Sequence, residues 1–214
     1  MSTNTRFTIY IILLILSLFS GLLRYKQIDK ASRVIVFLLA VTLISETTSI
    51  YIGWKYRNNM PVFHIFSPIE LFIVSIYFNR SIEYFKKFNI GIYVGVVGIL
   101  LSILNTIFIQ QIKTLNSYFL LYEGFCIIFM ALYSYRTMFE DLEMNVVRNP
   151  HFWFSSIFLF ISGVTYSNWA LYSFIGKRMV ELIPSISTLI TLVSAIAYTS
   201  IGLVFLLLPQ KAQK

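Results

Sequence analysis

The segment 60–78, MPVFHIFSPIELFIVSIYF, is long and apolar enough to cross a bilayer, yet it contains His64, Pro68 and Glu70. An α-helix rises about 1.5 Å per residue, so about 20 residues cover the hydrocarbon core of a membrane. An ionised carboxylate near the centre of such a helix costs about 2.5–3.5 kcal/mol even on insertion scales. The segment therefore predicts both a membrane span and a polar site within it.

The rest of the chain has the same character. Its 214 residues are 57% hydrophobic and only 12% charged, whereas soluble domains carry about 25% charged residues. The net charge of +8 is dispersed along the chain, so the basic residues indicate topology and not a nucleic-acid interface. The single Cys126 excludes a disulfide framework and a cysteine-based zinc site. Composition thus predicts an integral membrane protein.

Seven apolar runs are long enough to span a membrane, and together they predict a single domain over 1–214. They cover residues 7–23, 34–53, 60–78, 89–109, 117–135, 152–173 and 183–208. Runs such as IYIILLILSLF lack the alternation of barrel strands, so the predicted fold is an all-α seven-helix transmembrane bundle. No small-residue cleavage site follows the first run, which is therefore expected to remain as a span.

The basic residues predict the direction of these spans. Eleven lie on the side of the first, third and fifth connections and the C-terminal tail, and six lie on the opposite side. Since cytoplasmic segments are enriched in Lys and Arg, we expect the N-terminus outside and the C-terminus in the cytoplasm. The connections are too short for a further domain, so function is expected inside the bundle, at its faces or through a partner.

Acidic residues inside the predicted spans form the strongest functional signal. Glu46, Glu70 and Glu123 fall on the second, third and fifth spans, at depths that agree with one another. Together they predict a polar, ligand-binding cavity in the outer half of the bundle. The candidate lining residues are Glu46, His64, Glu70, Asn105, Glu123, Tyr166 and Asn168. The alternative is structural, because polar side chains also link membrane helices and a neutral Glu can donate a hydrogen bond.

Several chemistries lack their residues in this sequence. The last span, 183–208, contains no Lys for a retinal Schiff base, and two His residues are too few for a His-rich metal site. No phosphate-binding glycine loop or nucleophile elbow is present. We expect no cofactor and no resident metal, although a mixed site of His64 with carboxylates stays open. A small-residue run, Gly91, Gly95 and Gly98, indicates close helix packing, with assembly into a homo-oligomer as the alternative.

Two resemblances add expectations about function. The segment FSPIELF (66–72) resembles the Pro-x-Glu-Glu segment of small membrane-embedded lycopene cyclases, with Leu71 in place of the second acid. The segments HIFSPIELF (64–72), LNSYFLLYEGF (115–125) and NPHFWFSSIFLFISG (149–163) resemble an uncharacterised group of small bacterial seven-span membrane proteins. Members of that group are often encoded beside sensor kinases. This second resemblance implies a bacterial inner-membrane protein associated with signalling.

The leading functional expectation is a membrane sensor or accessory signalling subunit that binds a small or lipophilic ligand in the outer cavity. Its expected partners are membrane lipid and a cytoplasmic or membrane signalling protein. The first alternative is an intramembrane enzyme that uses a Glu as an acid on an isoprenoid or lipid. A small transporter ranks third, since the cytoplasmic half of the spans lacks acids.

Overall fold

The structure, a computed structural model, describes residues 3–140, 145–175 and 183–207. Within these ranges all regular elements are helical and none is a strand. The helices are α1 (Thr3–Leu23), α2 (Lys30–Tyr56), α3 (Met60–Ser81), α4 (Glu83–Phe88), α5 (Ile90–Leu104), α6 (Ser117–Glu140), α7 (Pro150–Ile175) and α8 (Ile183–Leu207). A π-helical turn, Asn105–Ile109, continues α5, and a 3-10 turn, Val146–Arg148, precedes α7.

Six stretches among the described residues are helical, long and apolar enough to cross a membrane. They are Thr5–Leu23, Lys30–Tyr56, Met60–Ser81, Ile90–Ile109, Ser117–Glu140 and Ser187–Leu207. The prediction of a multi-pass helical membrane protein is therefore confirmed. The predicted span at 152–173 lies within α7, a 26-residue helix outside this group. A polar stretch that includes Thr165, Ser167 and Asn168 lowers the hydropathy of α7.

Six of the long helices form a closed ring of neighbours in the order α1, α2, α3, α6, α7, α8. The remaining long helix, α5, lies outside this ring against α3 and α6. Consequently α3 contacts α2, α5 and α6, and its side chains have the most neighbouring helices to meet. This position explains why the segment that carries His64 and Glu70 is also the most buried of the six candidate spans.

The ring has two ends that can be defined by contacts between helix termini. At the first end, Arg6 near the start of α1 donates to Thr188 near the start of α8. At the second end, Arg24 donates to the carbonyl of Leu206, at 3.0 Å. Thus α1 and α8 run parallel, from the first end to the second. We call the halves of the bundle next to these ends the first half and the second half.

An aromatic cluster fills the centre of the ring in the second half. It contains Tyr77, Phe78, Phe154, Phe158 and Phe205, whose ring centroids lie 5.0–6.1 Å apart along a connected set of contacts. Because lipid is as apolar as these side chains, close packing between rings supplies the association energy here. The cluster joins α3, α7 and α8 across the ring.

The glycines of α5 bring this helix unusually close to α3. A Cβ atom on Gly91 would clash with the carbonyl oxygen of Ser75 and lie 2.7 Å from the Cβ of Asn79. Gly95 and Gly98 face Phe72 and Leu71 in the same way. The predicted close helix packing is confirmed, and the glycine face is occupied by α3 of the same chain.

Candidate functional site

Three acidic side chains converge from three neighbouring helices. Glu46 on α2, Glu70 on α3 and Glu123 on α6 lie in the first half or at the middle of the bundle. The Glu70 carboxyl interacts electrostatically with both Glu46 and Glu123. Their proximity follows from the ring order, since α3 lies between α2 and α6. We call Glu46, Glu70 and Glu123 the acidic cluster.

Two tyrosines extend the acidic cluster toward α1 and α8. The Tyr10 hydroxyl donates to Glu46 Oε1 at 2.9 Å, and the Tyr10 and Tyr198 rings are 5.7 Å apart. The Tyr198 hydroxyl interacts in turn with Tyr10 and with Thr42 on α2. Four helices of the ring, α1, α2, α3 and α8, therefore meet at polar groups close to Glu46. The adjoining α6 supplies Glu123.

The cluster has a deficit of hydrogen-bond donors. Among the described residues, none of the three carboxyls forms an ion pair, and Glu123 Oε1 is buried without a hydrogen-bond partner. Two carboxylates close together in an apolar surrounding cannot both keep their charge at low cost. We therefore expect the acidic cluster to hold at least one proton. An occupant that donates hydrogen bonds or carries a positive charge would satisfy it.

His64 has other partners. Its Nδ1 lies 2.8 Å from Thr106 Oγ1, and its Nε2 lies 2.9 Å from the carbonyl oxygen of Thr114. A carbonyl can only accept, so Nε2 carries a proton and donates it. Because both ring nitrogens bind the connection between α5 and α6, His64 fixes that connection to α3. A role of His64 in ligand binding stays a prediction.

Asn105 belongs to a second polar network at the first end. Its amide nitrogen donates to Gln110 Oε1 at 3.1 Å, and Gln110 donates in turn to Ser117 Oγ at 3.0 Å. The other Asn105 amide atom, Oδ1, is buried without a partner. These contacts connect the π-helical turn to the start of α6, and they give the polar side chain at the end of α5 a hydrogen-bond partner.

The two candidate residues on α7, Tyr166 and Asn168, have partners in α7 itself or in the neighbouring helix α6. The Asn168 amide donates to the carbonyl of Val164 in its own helix at 2.9 Å. Tyr166 packs against α6, where a Cβ on Gly124 would lie 3.3 Å from the Tyr166 Cβ. Since Gly124 follows Glu123, Tyr166 lies beside the segment that carries the third acid. The structure thus brings together Glu46, Glu70 and Glu123, and gives His64, Asn105 and Asn168 partners of their own.

Tyr10 is a site residue that sequence reasoning missed, as is Tyr198. Tyr10 is the single aromatic residue with a polar group in the run IYIILLILSLF, and it is 5% exposed. A tyrosine hydroxyl in a largely apolar span is a weak signal, because tyrosines are also common at membrane interfaces. Only its contact with Glu46 distinguishes it.

A separate titratable pair lies at the second end, where Asp29 precedes α2. Asp29 accepts from the backbone N–H groups of Ala31 and Ser32 at 3.0 and 3.1 Å, and thus caps the helix. His151 Nε2 lies 3.5 Å from Asp29 Oδ2, and Tyr77 Oη lies 3.2 Å from His151 Nδ1. Burial opposes ionisation of Asp29, but His151 and the cap hydrogen bonds outweigh it and hold its pKa well below its usual range. This pair fixes the start of α2 to α7.

Within the described part of the chain, the geometry therefore defines a candidate ligand site, the acidic cluster with Tyr10 and Tyr198, and a structural pair at the opposite end. Comparison with protein families, with curated proteins and with solved structures gives no match for this chain, so a function has to be proposed from the site itself.

Proposed function

We infer that this chain is a seven-span protein of the bacterial inner membrane that senses a small lipophilic ligand. In this proposal the first end faces outward, because the basic residues concentrate at the second end. The helix α7 is the seventh span. No described connection is long enough for an effector domain, so the signal passes to a partner protein, as the resemblance to seven-span proteins encoded beside sensor kinases implies.

The observation that carries this proposal is the electrostatic interaction of Glu70 with acids on the two neighbouring helices. Ionisable side chains inside a membrane cost free energy of insertion, so their presence there indicates a functional site. Glu70 interacts with both other acids, while Tyr10 donates to Glu46. A ligand with an apolar body and a cationic or hydrogen-bond-donating group complements this arrangement. It would bind between α2, α3 and α6.

Signalling requires that the ligand distinguishes two packings of these helices. The acidic cluster supplies a reason for such a difference. Without an occupant, repulsion between those carboxyls of the acidic cluster that stay ionised favours separation of the helices that carry them, whereas a bound cation favours their approach. Because α2 and α3 extend to the second end, a shift of these helices at the acidic cluster also moves the Lys and Arg side chains at the second end, which form a basic surface. That surface is where we place the signalling partner.

A pair of matched compounds tests the ligand class. Thermal unfolding of the full chain in nanodiscs is measured with a lipophilic primary amine and with the alcohol of the same chain length. We expect the amine to stabilise the wild type more than the alcohol does. Loss of one charge-assisted contact in Glu70→Gln is expected to weaken amine binding about tenfold.

Glu83→Gln is the matched control, since Glu83 is an exposed acid on α4, away from the cluster. Its amine affinity should equal that of the wild type. Equal stabilisation by the amine and the alcohol in all three proteins would overturn the proposal, because it would show only partitioning into the bilayer.

Acid catalysis on an isoprenoid or lipid is the second candidate. It is favoured by Glu123, whose Oε1 is buried without a partner beside Glu70. A proton held by such a pair can be given to an apolar substrate. Comparison of lipid extracts from cells with the wild type and with Glu123→Gln tests this candidate. A changed lipid or carotenoid profile supports the enzyme, and an unchanged profile excludes it in favour of the sensor.

A further inference from the structure

A groove of about 550 Å³ opens between α2 and α3 in the second half of the bundle, and its lining extends from Arg80 to Ile69, next to Glu70. Three cationic side chains, Lys30, Arg33 and Arg80, line one part of it, and the other walls are apolar, with Phe37, Phe72 and Ile76 among them. On α2, Lys30, Arg33 and Phe37 share one face because they are separated by three and four residues. Ile76 and Arg80 share a face of α3 for the same reason.

Among the described residues, no acidic side chain forms an ion pair with any of these three cations. The contacts between basic and acidic side chains found among described residues are Arg136 with Glu140, and His151 with Asp29, which is an ion pair only when His151 is protonated. Neither contact involves the groove. Arg80 donates to the backbone carbonyl of Lys30 at 3.3 Å, and the Arg33 guanidinium lies over the Tyr25 ring at 5.2 Å. Arg33 Nε is buried without a hydrogen-bond partner. Asp29, the acidic residue adjacent to Lys30 in the sequence, contacts His151 and accepts a hydrogen bond from the backbone N–H of Ala31 at the start of α2.

The dimensions of the groove follow from its helices. Its lining on α3 extends from Ile69 to Arg80, a rise of about 16 Å at 1.5 Å per residue. Half of a hydrocarbon core is about 15 Å thick. The apolar walls therefore extend over the depth of one leaflet, and the cations lie at the level of its headgroups. Phe37 is 59% exposed and Ile69 is 39% exposed, so the groove is open to lipid along its length.

We propose that this groove binds one anionic phospholipid from the leaflet at the second end. The phosphate contacts Lys30, Arg33 and Arg80, whose planar or multiple donors suit phosphate oxygens. One acyl chain lies between Phe37, Phe72 and Ile76. Charge complementarity selects an anionic lipid over a zwitterionic one, and it links the composition of that leaflet to the relative position of α2 and α3.

Native mass spectrometry of the full chain tests this proposal, with phosphatidylglycerol and phosphatidylcholine of identical acyl chains. We expect one phosphatidylglycerol to be retained in preference to phosphatidylcholine. Each removed cation is expected to weaken retention about fivefold, so Arg33→Gln with Arg80→Gln should weaken it about 25-fold. The single change Lys30→Gln affects an exposed side chain and keeps the carbonyl that Arg80 uses, so it tests the site even if the double variant does not fold.

The double change Lys86→Gln with Lys87→Gln is the matched control. It removes two exposed cations at the same end but outside the groove, and it should leave phosphatidylglycerol retention unchanged. Equal loss of retention in the control and in the groove variants would overturn the proposal, since it would show attraction to the surface as a whole. Equal retention of the two lipids by the wild type would overturn it as well.

Discussion

The two halves of the bundle differ in the side chains that lie between their helices. In the second half, aromatic rings from α3, α7 and α8 fill the centre, and Tyr77, Phe78, Phe154 and Phe205 are each at most 1% exposed. In the first half, carboxyl and amide groups occupy the positions between helices. The carboxyl and amide oxygens that are buried without a partner, on Glu123, Asn105 and Asn116, all belong to the first half of the described structure.

Because of this difference, we assign the stability of the bundle mainly to the second half and ligand binding to the first half. Packed rings gain dispersion energy and need no further partner. A carboxyl in the same environment is costly until an occupant or a proton satisfies it. We therefore expect substitutions at close contacts in the second half to reduce stability. Substitutions in the acidic cluster should change binding with little loss of stability.

The largest expected effect is at the contact between α5 and α3 in the second half. Gly91→Ala places a Cβ against the carbonyl oxygen of Ser75 and 2.7 Å from the Asn79 Cβ, so the two helices must separate. We expect a loss of about 3 kcal/mol or more in the free energy of unfolding, at the upper end of overpacking effects. Titration with SDS in mixed micelles measures it.

Gly163→Ala provides the control, because a Cβ there would have nothing within 4 Å. It should leave stability unchanged or raise it by up to about 1 kcal/mol through helix propensity. Similar losses in both variants would contradict the close packing of α5 on α3.

A smaller effect is expected at the Asp29–His151 pair, which anchors the second end. Asp29→Ala removes the α2 cap and the partner of His151, and should cost about 1–2 kcal/mol at pH 7. Because the pKa of Asp29 is lowered in the folded state, its contribution is complete above the unfolded pKa of about 3.9. It is lost as the pH falls from there toward the folded pKa.

Unfolding free energies measured from pH 7 down to pH 3 test this dependence. The difference between wild type and Asp29→Ala should shrink only below about pH 4. Asp29→Asn keeps a capping oxygen and should lose less than Asp29→Ala. A difference that does not change with pH would contradict a lowered pKa of Asp29 in the folded protein.

In the first half, Tyr10→Phe tests the hydrogen bond to the acidic cluster. The substitution keeps the ring packed against Tyr198 but removes the donor 2.9 Å from Glu46 Oε1. A loss of about 1 kcal/mol is expected, which is typical of one hydrogen bond. Tyr118→Phe is the control, since Tyr118 is 56% exposed, and a loss as large as that of Tyr10→Phe would rule out a specific contribution from Glu46.

The smallest effect on stability is expected for Glu123→Gln. If the acidic cluster already holds a proton, an amide replaces a neutral carboxyl, and stability should change by less than about 1 kcal/mol. The infrared absorption of protonated carboxyls in the wild type at pH 7 should decrease in this variant. A gain of several kcal/mol would instead mean that Glu123 is buried as an unpaired charge.

The sequence predicts the depth of a residue along its helix, but it does not predict which residues of other helices lie beside it. The depths of Glu46, Glu70 and Glu123 follow from their positions along helices of known rise. The electrostatic interactions of Glu70 with Glu46 and Glu123 depend on α3 lying between α2 and α6. This helix order cannot be read from hydrophobic periodicity. His64 lies six residues before Glu70 and therefore about 9 Å nearer the first end. Its ring is held by Thr106 and Thr114 from a later connection. Likewise, Lys30, Arg33 and Arg80 share a groove only because α2 and α3 lie side by side, and their spacing in the sequence does not predict this.

Composition and run length by themselves determined that this chain is helical and lies in a membrane, because a backbone in lipid must satisfy its own hydrogen bonds. They also located the acids within the spans, since position along a helix fixes depth. The tertiary structure alone decided which polar groups meet, which glycines allow close approach, and which cations share a groove. Those outcomes depend on helix order and rotation, which are set by contacts between residues far apart in the chain.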